Sequence, residues 1–340
     1  MKNVLLVAFF VATNLLWAQN NTDKTIYLDS IEKNTTEGNH FYTRIIKEYS
    51  SEKDNYKVFE YYKSGQLRKE YTLKDKTNLN SKTGILTTYS ENGIKKQEQQ
   101  ISDSETGIDY TTNWYEGGQL YQEIESNKKT KITTETNYYT NGNKLSIEKN
   151  NFSIPNAGLN NKIIQAWDKN NNHTVKDGNG NYQIETDFFK INGAVKDSLK
   201  DGEWIEQNKA TGEKIIEKFK NGKFIKGKRI ELDGTVITYE EQEIAAMPAR
   251  GYSDFSQFIA MFFVYSKEAL KNNISGKVIL EFIIETDGSI NNIVVIKSLG
   301  YGLDEESIRI VKEYKSWSPG KIRGKNIRTR YHLPLRLTAQ

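Results

Sequence analysis

Ile327-Arg328-Thr329-Arg330-Tyr331-His332-Leu333-Pro334-Leu335-Arg336-Leu337, close to the C-terminus, alternates without a break. Ile327, Thr329, Tyr331, Leu333, Leu335 and Leu337 fall on one side, and Arg328, Arg330, His332, Pro334 and Arg336 on the other. Successive side chains of a β-strand point to opposite faces, so this period of two predicts a strand with one face in a core. Pro334 has no N–H to give a neighbouring strand, which places the segment at a sheet edge. Such an edge presents unpaired backbone groups that an extended peptide can satisfy.

The residues before it supply the rest of a small domain, expected over 261–340. A helix is predicted over 303–317, with Leu303, Ile310, Val311 and Tyr314 near one face. Asp304, Glu305 and Glu306 sit at its positive N-terminus, and Ser318-Pro319-Gly320 stops it. Strands are predicted over 277–285 and 290–298, joined by a tight turn at Asp287-Gly288. A short helix over 265–271 has Ser266 in position to cap it. The order is αββαβ: a three-stranded sheet, two helices on its apolar face and one open edge.

Further upstream, from 41 to 240, the chain repeats itself. Tyr61-Tyr62-Lys63-Ser64-Gly65-Gln66-Leu67, Tyr89-Ser90-Glu91-Asn92-Gly93-Ile94, Trp114-Tyr115-Glu116-Gly117-Gly118-Gln119-Leu120 and Tyr138-Tyr139-Thr140-Asn141-Gly142-Asn143-Lys144-Leu145 share one pattern. Gly65, Gly93, Gly118 and Gly142 follow one another at 28, 25 and 24 residues, an interval typical of repeat architectures. Phe219-Lys220-Asn221-Gly222-Lys223-Phe224 is a later unit. Aromatic residues suit a half-buried strand, glycine accepts the positive φ of a turn, and an alternating strand follows. One hairpin per unit is predicted. Stacked units bury a shared aromatic ridge that a lone hairpin could not. The fold class is therefore mainly β plus α+β: an antiparallel hairpin-repeat sheet followed by the αββαβ domain. Pro248 and Gly251 mark 241–260 as a linker, and the polar stretch 19–40 reads as a flexible lead.

Composition narrows the function. The chain has 340 residues, a net charge of +4 and no Cys. Disulfides, thiolate metal sites, iron–sulfur clusters and Cys nucleophiles are thereby excluded. Lys2, an apolar run from Val4 to Trp17, and Ala18 read as an export signal over 1–18, cleaved before Gln19. At fourteen residues with two polar breaks the run is short for a membrane span, which needs about 20. No nucleophile elbow, phosphate loop or zinc-protease motif occurs. His40, His173 and His332 have no metal-ligand spacing. Asp168-Lys169-Asn170-Asn171-Asn172 starts like a calcium loop. His173 then stands where that loop needs Gly, and Asn179 where it needs Glu, so an Asn-rich turn is expected. Neither an enzyme nor a cofactor is expected.

Two resemblances follow. The Tyr-Tyr-x-Asn-Gly-x-Leu units resemble the MORN-variant repeats of exported bacterial proteins and of YwqK-like antitoxins. Trp167 to Asn172, Asp177 to Tyr182, and Asp201-Gly202-Glu203-Trp204 look like further variants. The C-terminal words Tyr265-Ser266-Lys267-Glu268-Ala269-Leu270, Ile274-Ser275-Gly276-Lys277-Val278, Asp287-Gly288-Ser289-Ile290, Leu303-Asp304-Glu305-Glu306, Trp317-Ser318-Pro319-Gly320-Lys321 and Tyr331-His332-Leu333-Pro334-Leu335 resemble the TonB C-terminal domain. Met247-Pro248, Phe255 and Phe258-Ile259 are similar to the lead-in of family members with upstream repeats. Ser266 departs from the Pro common in the family at that place, which affects the entry turn and not the edge.

That resemblance implies a periplasmic domain that grips the TonB-box peptide of an outer-membrane transporter by strand addition beside the last strand. The binding segment is then 326–337, with Arg328, Arg330, Tyr331, His332, Leu333 and Leu335 as partner-binding residues. The expected partner is a TonB-dependent transporter or a similar envelope protein. Nucleic acid is not expected as a partner, membrane contact is only peripheral unless the N-terminus is uncleaved, and a homodimer is possible. An energy-coupling TonB also has an uncleaved anchor and a Pro-rich spacer. Four prolines cannot make a stiff spacer. The alternative is an envelope interaction protein whose repeat sheet is the main binding surface. Seven positive charges follow Glu313 with no acidic residue, and a solvated, edge-protecting face is the favoured reading of them.

Overall fold

The computed structural model describes residues 22–153 and 161–339. The export signal expected over 1–18 lies outside the described residues. The chain forms two compact units that divide between residues 162 and 163, so the expected repeat region 41–240 contributes to both.

The first unit is an antiparallel meander of ten strands: β1 (Lys24–Leu28), β2 (Tyr42–Ile46), β3 (Tyr56–Tyr62), β4 (Leu67–Leu73), β5 (Lys82–Tyr89), β6 (Lys95–Ile101), β7 (Ile108–Trp114), β8 (Leu120–Asn127), β9 (Ile132–Tyr138) and β10 (Lys144–Asn151). Each strand pairs with the next. Each repeat is one hairpin, β3–β4, β5–β6, β7–β8 and β9–β10. All four turns are built alike. The glycine N–H donates to the carbonyl three residues back (Gly65 to Tyr62, Gly93 to Ser90, Gly118 to Tyr115, Gly142 to Tyr139), and all four glycines have φ between +82° and +85°. A register shift follows the turn in every hairpin. This is the geometry of a type I turn closed by a glycine bulge, and only glycine adopts it without strain. Tyr hydroxyls then tie repeat to repeat: Tyr62 donates to the Tyr89 carbonyl (2.8 Å) and Tyr115 to that of Tyr138 (2.9 Å).

The aromatic rows are mostly half-buried. The apolar core of this unit is instead Ile46, Tyr56, Val58, Tyr71, Leu73 and Leu86 on β2–β5. Beside it the Glu60 carboxylate, 1% exposed, accepts from Arg44 (2.8 Å), Arg68 (2.9 Å) and Tyr71 (3.0 Å). Strands β6–β10 hold a polar ladder in place of a core. Gln97 donates to Asn113 (2.9 Å), Asn113 to Gln122 (3.2 Å), Gln122 to Asn137 (2.9 Å), Asn137 to Ser146 (3.1 Å) and Ser146 to Glu148 (2.9 Å). Residues 22–40, expected as a flexible lead, include β1, which pairs with β2 and fully buries Leu28.

The second unit opens with eight more antiparallel strands: β11 (Lys162–Trp167), β12 (His173–Lys176), β13 (Asn179–Glu185), β14 (Phe189–Lys196), β15 (Leu199–Asn208), β16 (Lys214–Lys220), β17 (Lys223–Ile230) and β18 (Val236–Tyr239). Trp204 and Tyr239 lie over Gly193 and Gly227 of the neighbouring strand, where a Cβ would come within 2.2 Å of each ring. Between β11 and β12 the Asp168 carboxylate accepts from the backbone N–H groups of Asn170 (2.9 Å) and Asn172 (2.8 Å), the Asn-rich turn expected there.

The stretch expected as a linker, 241–260, carries β19 (Glu243–Ile244), β20 (Met247–Pro248) and most of helix α1 (Gly251–Phe262). Phe255 of α1 is buried against Tyr314 and Trp317. Helix α2 (Lys267–Lys271) follows, capped by Ser266, whose hydroxyl accepts from the Ala269 N–H at 3.0 Å. Then come β21 (Gly276–Ile284), β22 (Ile290–Lys297), α3 (Leu303–Glu313), β23 (Trp317–Ser318), β24 (Gly320–Ile322), β25 (Lys325–Ile327) and β26 (Thr329–Leu337). Helix α3 stops at Glu313, four residues before the expected end. Trp317–Ser318 is drawn into extended pairing with β20, and the Ser316 carbonyl accepts from Ala249 N–H at 2.8 Å. The core of this domain gathers Val278, Leu280, Phe282 and Ile284, all fully buried, with Leu303, Ile310 and Val311 of α3. Each such side chain contributes about 1.5–3 kcal/mol by leaving water.

Candidate functional site

The C-terminal sheet has the order β22-β21-β26. Strand β26 pairs with β21 through nine consecutive residue pairs, from Ile284↔Thr329 to Gly276↔Leu337, without a register shift. Its Leu333, Leu335 and Leu337 enter the core, while Arg330, His332, Pro334 and Arg336 face outward. Among the described residues no strand pairs with the far side of β26 or of β22.

The two open edges are not equivalent. Strand β22 shifts register twice against β21, between Ile279 and Leu280 and between Glu281 and Ile283, and Asn292 within it has φ +53°. Such bulges twist an edge away from further pairing. Strand β26 has none. The parity of its backbone follows from Pro334, which lies opposite Ile279. Antiparallel neighbours alternate between pairs that exchange two hydrogen bonds and pairs that exchange none. Proline fits the ladder only at a pair of the second kind. The N–H and C=O groups of Arg330, His332 and Arg336 therefore point to the open side, with a donor missing at Pro334.

Each residue expected at the site has a definite place. Arg328 precedes β26, and its Nε binds both Glu285 oxygens at 2.9 and 3.1 Å. The Asn291 amide and then Arg328 hold the Glu285 carboxyl below its ordinary pKa. On the outer face Glu281 meets His332 at 2.8 Å and Arg330 at 3.8 Å, and Arg330 remains 69% exposed. Tyr331 is half-buried against Phe282 and Trp317, and its hydroxyl lies 2.9 Å from that of Tyr252. Leu333 and Leu335 are core residues, 5% and 4% exposed, and by the same parity their N–H and C=O groups face β21 and not the open side.

Asn326, the expected start of the segment, lies outside β26. That residue pairs with Lys321 in the β24–β25 hairpin, itself paired to β19, and its amide donates to the Thr286 carbonyl at 2.9 Å. The tip of this hairpin, Arg323-Gly324, inserts against β15–β18. Arg323 reaches Glu206 at 3.0 Å and Glu217 at 3.2 Å, and its N–H donates to the Gln242 carbonyl at 2.6 Å. Arg229 donates to the carbonyls of Arg323 (3.2 Å) and Ile322 (3.3 Å). Glu217 also accepts from Tyr239 and Gln242, both at 2.9 Å. A Cβ on Gly324 would meet Ile237 at 2.8 Å. Four of the seven positive charges after Glu313 are thus engaged within the chain: Arg323, Arg328, Arg330, and Lys325 with Glu231 at 3.4 Å.

Residues 263–337 match the family model described as the Gram-negative bacterial TonB protein C-terminal. The match runs from just before α2 to the last residue of β26. No curated protein matches the chain. The family is transport-related and non-enzymatic, works in the cell envelope or periplasm, and interacts with TonB-dependent outer-membrane transporters. A TonB C-terminal domain implies a TonB-like energy-transducer role.

Proposed function

We propose that this protein acts in the periplasm and binds the extended N-terminal peptide of a TonB-dependent outer-membrane transporter as an added strand beside β26, in support of transport. The observation that carries this reading is the unbulged, singly paired β26 edge within the segment matching the TonB C-terminal model. Backbone groups at Arg330 and His332 supply two donors and two acceptors in register, and backbone bonding of this kind provides affinity while alternate side chains provide selectivity. The outward residues Arg330 and Arg336 favour acidic side chains on the outer face of the guest strand.

The test uses transporter N-terminal peptides, titrated against the full chain and against Arg330→Pro. That substitution deletes one outward N–H while leaving the bonds to β21 intact, as Pro334 already does. Binding should weaken about tenfold, the effect of roughly one hydrogen bond together with the loss of the arginine charge. Equal affinities, with β21 amide protection unchanged, remove strand addition at β26. Removal of the first unit, through residue 162, keeps β15–β18 against the β24–β25 hairpin and provides the opposing arm: capture that disappears with it while surviving Arg330→Pro assigns the interaction to the repeat sheet.

A further inference from the structure

Helix α1 lies outside the segment that matches the family model, yet it reaches the open edge. Its first turn carries Tyr252, 56% exposed, whose hydroxyl is 2.9 Å from that of Tyr331 on β26. Tyr331 is held from behind by the Phe282 and Trp317 rings, at centroid distances of 5.5 and 5.6 Å. Two hydroxyls carry two protons. One lies in the mutual bond, and the other has no acceptor among the described residues. The nearest carboxylate on the helix, Asp254, is committed to the Tyr314 hydroxyl at 2.8 Å.

We propose that Tyr252 and Tyr331 form a hydroxyl shelf beside the β26 edge, which selects an uncharged hydrogen-bonding side chain (Ser, Thr or Asn) at one position of the docked peptide. This inference rests on strand addition at β26. The guest residue opposite Tyr331 points to the same face of the sheet, with its Cβ about 4.5–5.5 Å away. Its side chain therefore rises next to the paired hydroxyls. An apolar side chain there would cover the spare hydroxyl proton without satisfying it. An ionised one would lose part of its hydration against the two neutral hydroxyls and the rings behind them. A small hydroxyl or amide side chain avoids both penalties. Burial and the neighbouring hydroxyl push the Tyr331 phenol upward, so the shelf stays protonated at neutral pH.

The experiment titrates the full chain with nine-residue peptides from transporter N-terminal extensions, each position in turn set to Thr, Val or Asp. Thr and Val are nearly isosteric, so their ratio isolates the hydroxyl. Wild type should favour Thr over Val about fivefold at one position and reject Asp there. Tyr252→Phe combined with Tyr331→Phe, which removes both hydroxyls, should abolish that preference, the Val peptide gaining on the Thr peptide because no hydroxyl proton is left to cover. A Thr/Val preference that survives the double variant, or no preference at any position of a peptide that binds, overturns the shelf alone. Failure of every peptide to bind wild type overturns the strand-addition reading and the shelf with it.

Discussion

Replacing Arg323 by Ala should loosen the β24–β25 hairpin from β15–β18. Arg323 meets Glu206 and Glu217, whose side chains are 31% and 4% exposed, and its own side chain is 25% exposed. Removing one member of a fully buried ion pair costs roughly 3–5 kcal/mol, because the other charge is left buried and unpaired. Glu217 suffers that fate here, while Glu206 relaxes into water. The partial exposure lowers the expected cost to about 2–3 kcal/mol. Local opening of the hairpin should then become roughly 30- to 150-fold more frequent, since 1.4 kcal/mol is tenfold. Amide hydrogen exchange read at β24, β25 and Tyr239 measures this directly. Arg323→Lys should recover only part, because an ammonium lacks the planar fork that serves two carboxylates. Arg323→Met combined with Glu217→Gln should open less often than Arg323→Ala, since no buried charge is stranded. Exchange in Arg323→Ala within threefold of wild type would refute the argument that these charges hold the hairpin.

Three further outcomes are expected. Glu60→Ala strands Arg44 in the first unit and should lower stability to urea by about 3–5 kcal/mol; an unchanged midpoint would show the cluster to be dispensable. Pro334→Ala restores an outward N–H and should tighten transporter-peptide binding about fivefold, the worth of one hydrogen bond, whereas a gain in β21–β26 stability instead would mean the backbone parity is reversed. Burial raises the Glu32 carboxyl pKa, but Arg68 and Lys69 outweigh it and bring the value to about 2, from an ordinary 4.5. A depressed carboxylate stabilises the fold above its unfolded pKa, so this contribution is whole above pH 4.5 and drains away toward pH 2. Glu32→Gln should flatten the acid limb of the stability curve across that window, and a curve parallel to wild type would contradict it.

Much of the architecture could be read from local patterns. The four glycines spaced at 28, 25 and 24 residues are those with left-handed backbone, because a bulged hairpin turn admits little else. The alternation through Thr329 to Leu337 gave both the inward leucines and the edge position of Pro334. What local patterns do not carry depends on distant partners. Arg323 has no periodic neighbours, and its carboxylates lie 117 and 106 residues away along the chain. Helix α1 was hidden by Pro248 and Gly251, although Phe255, Phe258 and Phe262 recur at helical intervals and signal it. The alternation marks Leu333 and Leu335 as part of an apolar face but does not show that this face joins α3 and Phe255 in the core. The aromatic rows pointed to a core throughout the repeats. Gln97, Asn113, Gln122 and Asn137 occupy the facing positions on β6–β9, where apolar side chains would be needed to make one.

Those four amides impose a direction on the sheet. Every link donates toward the C-terminal end, and the chain finishes on an anion at Glu148, which can only accept. The carboxylate thereby dictates the flip state of each amide back to Gln97, across five strands. A slip of one residue would turn all the links to the opposite surface at once. Alignment in this half of the meander is consequently all-or-nothing, locked by a polarised relay in place of an apolar face.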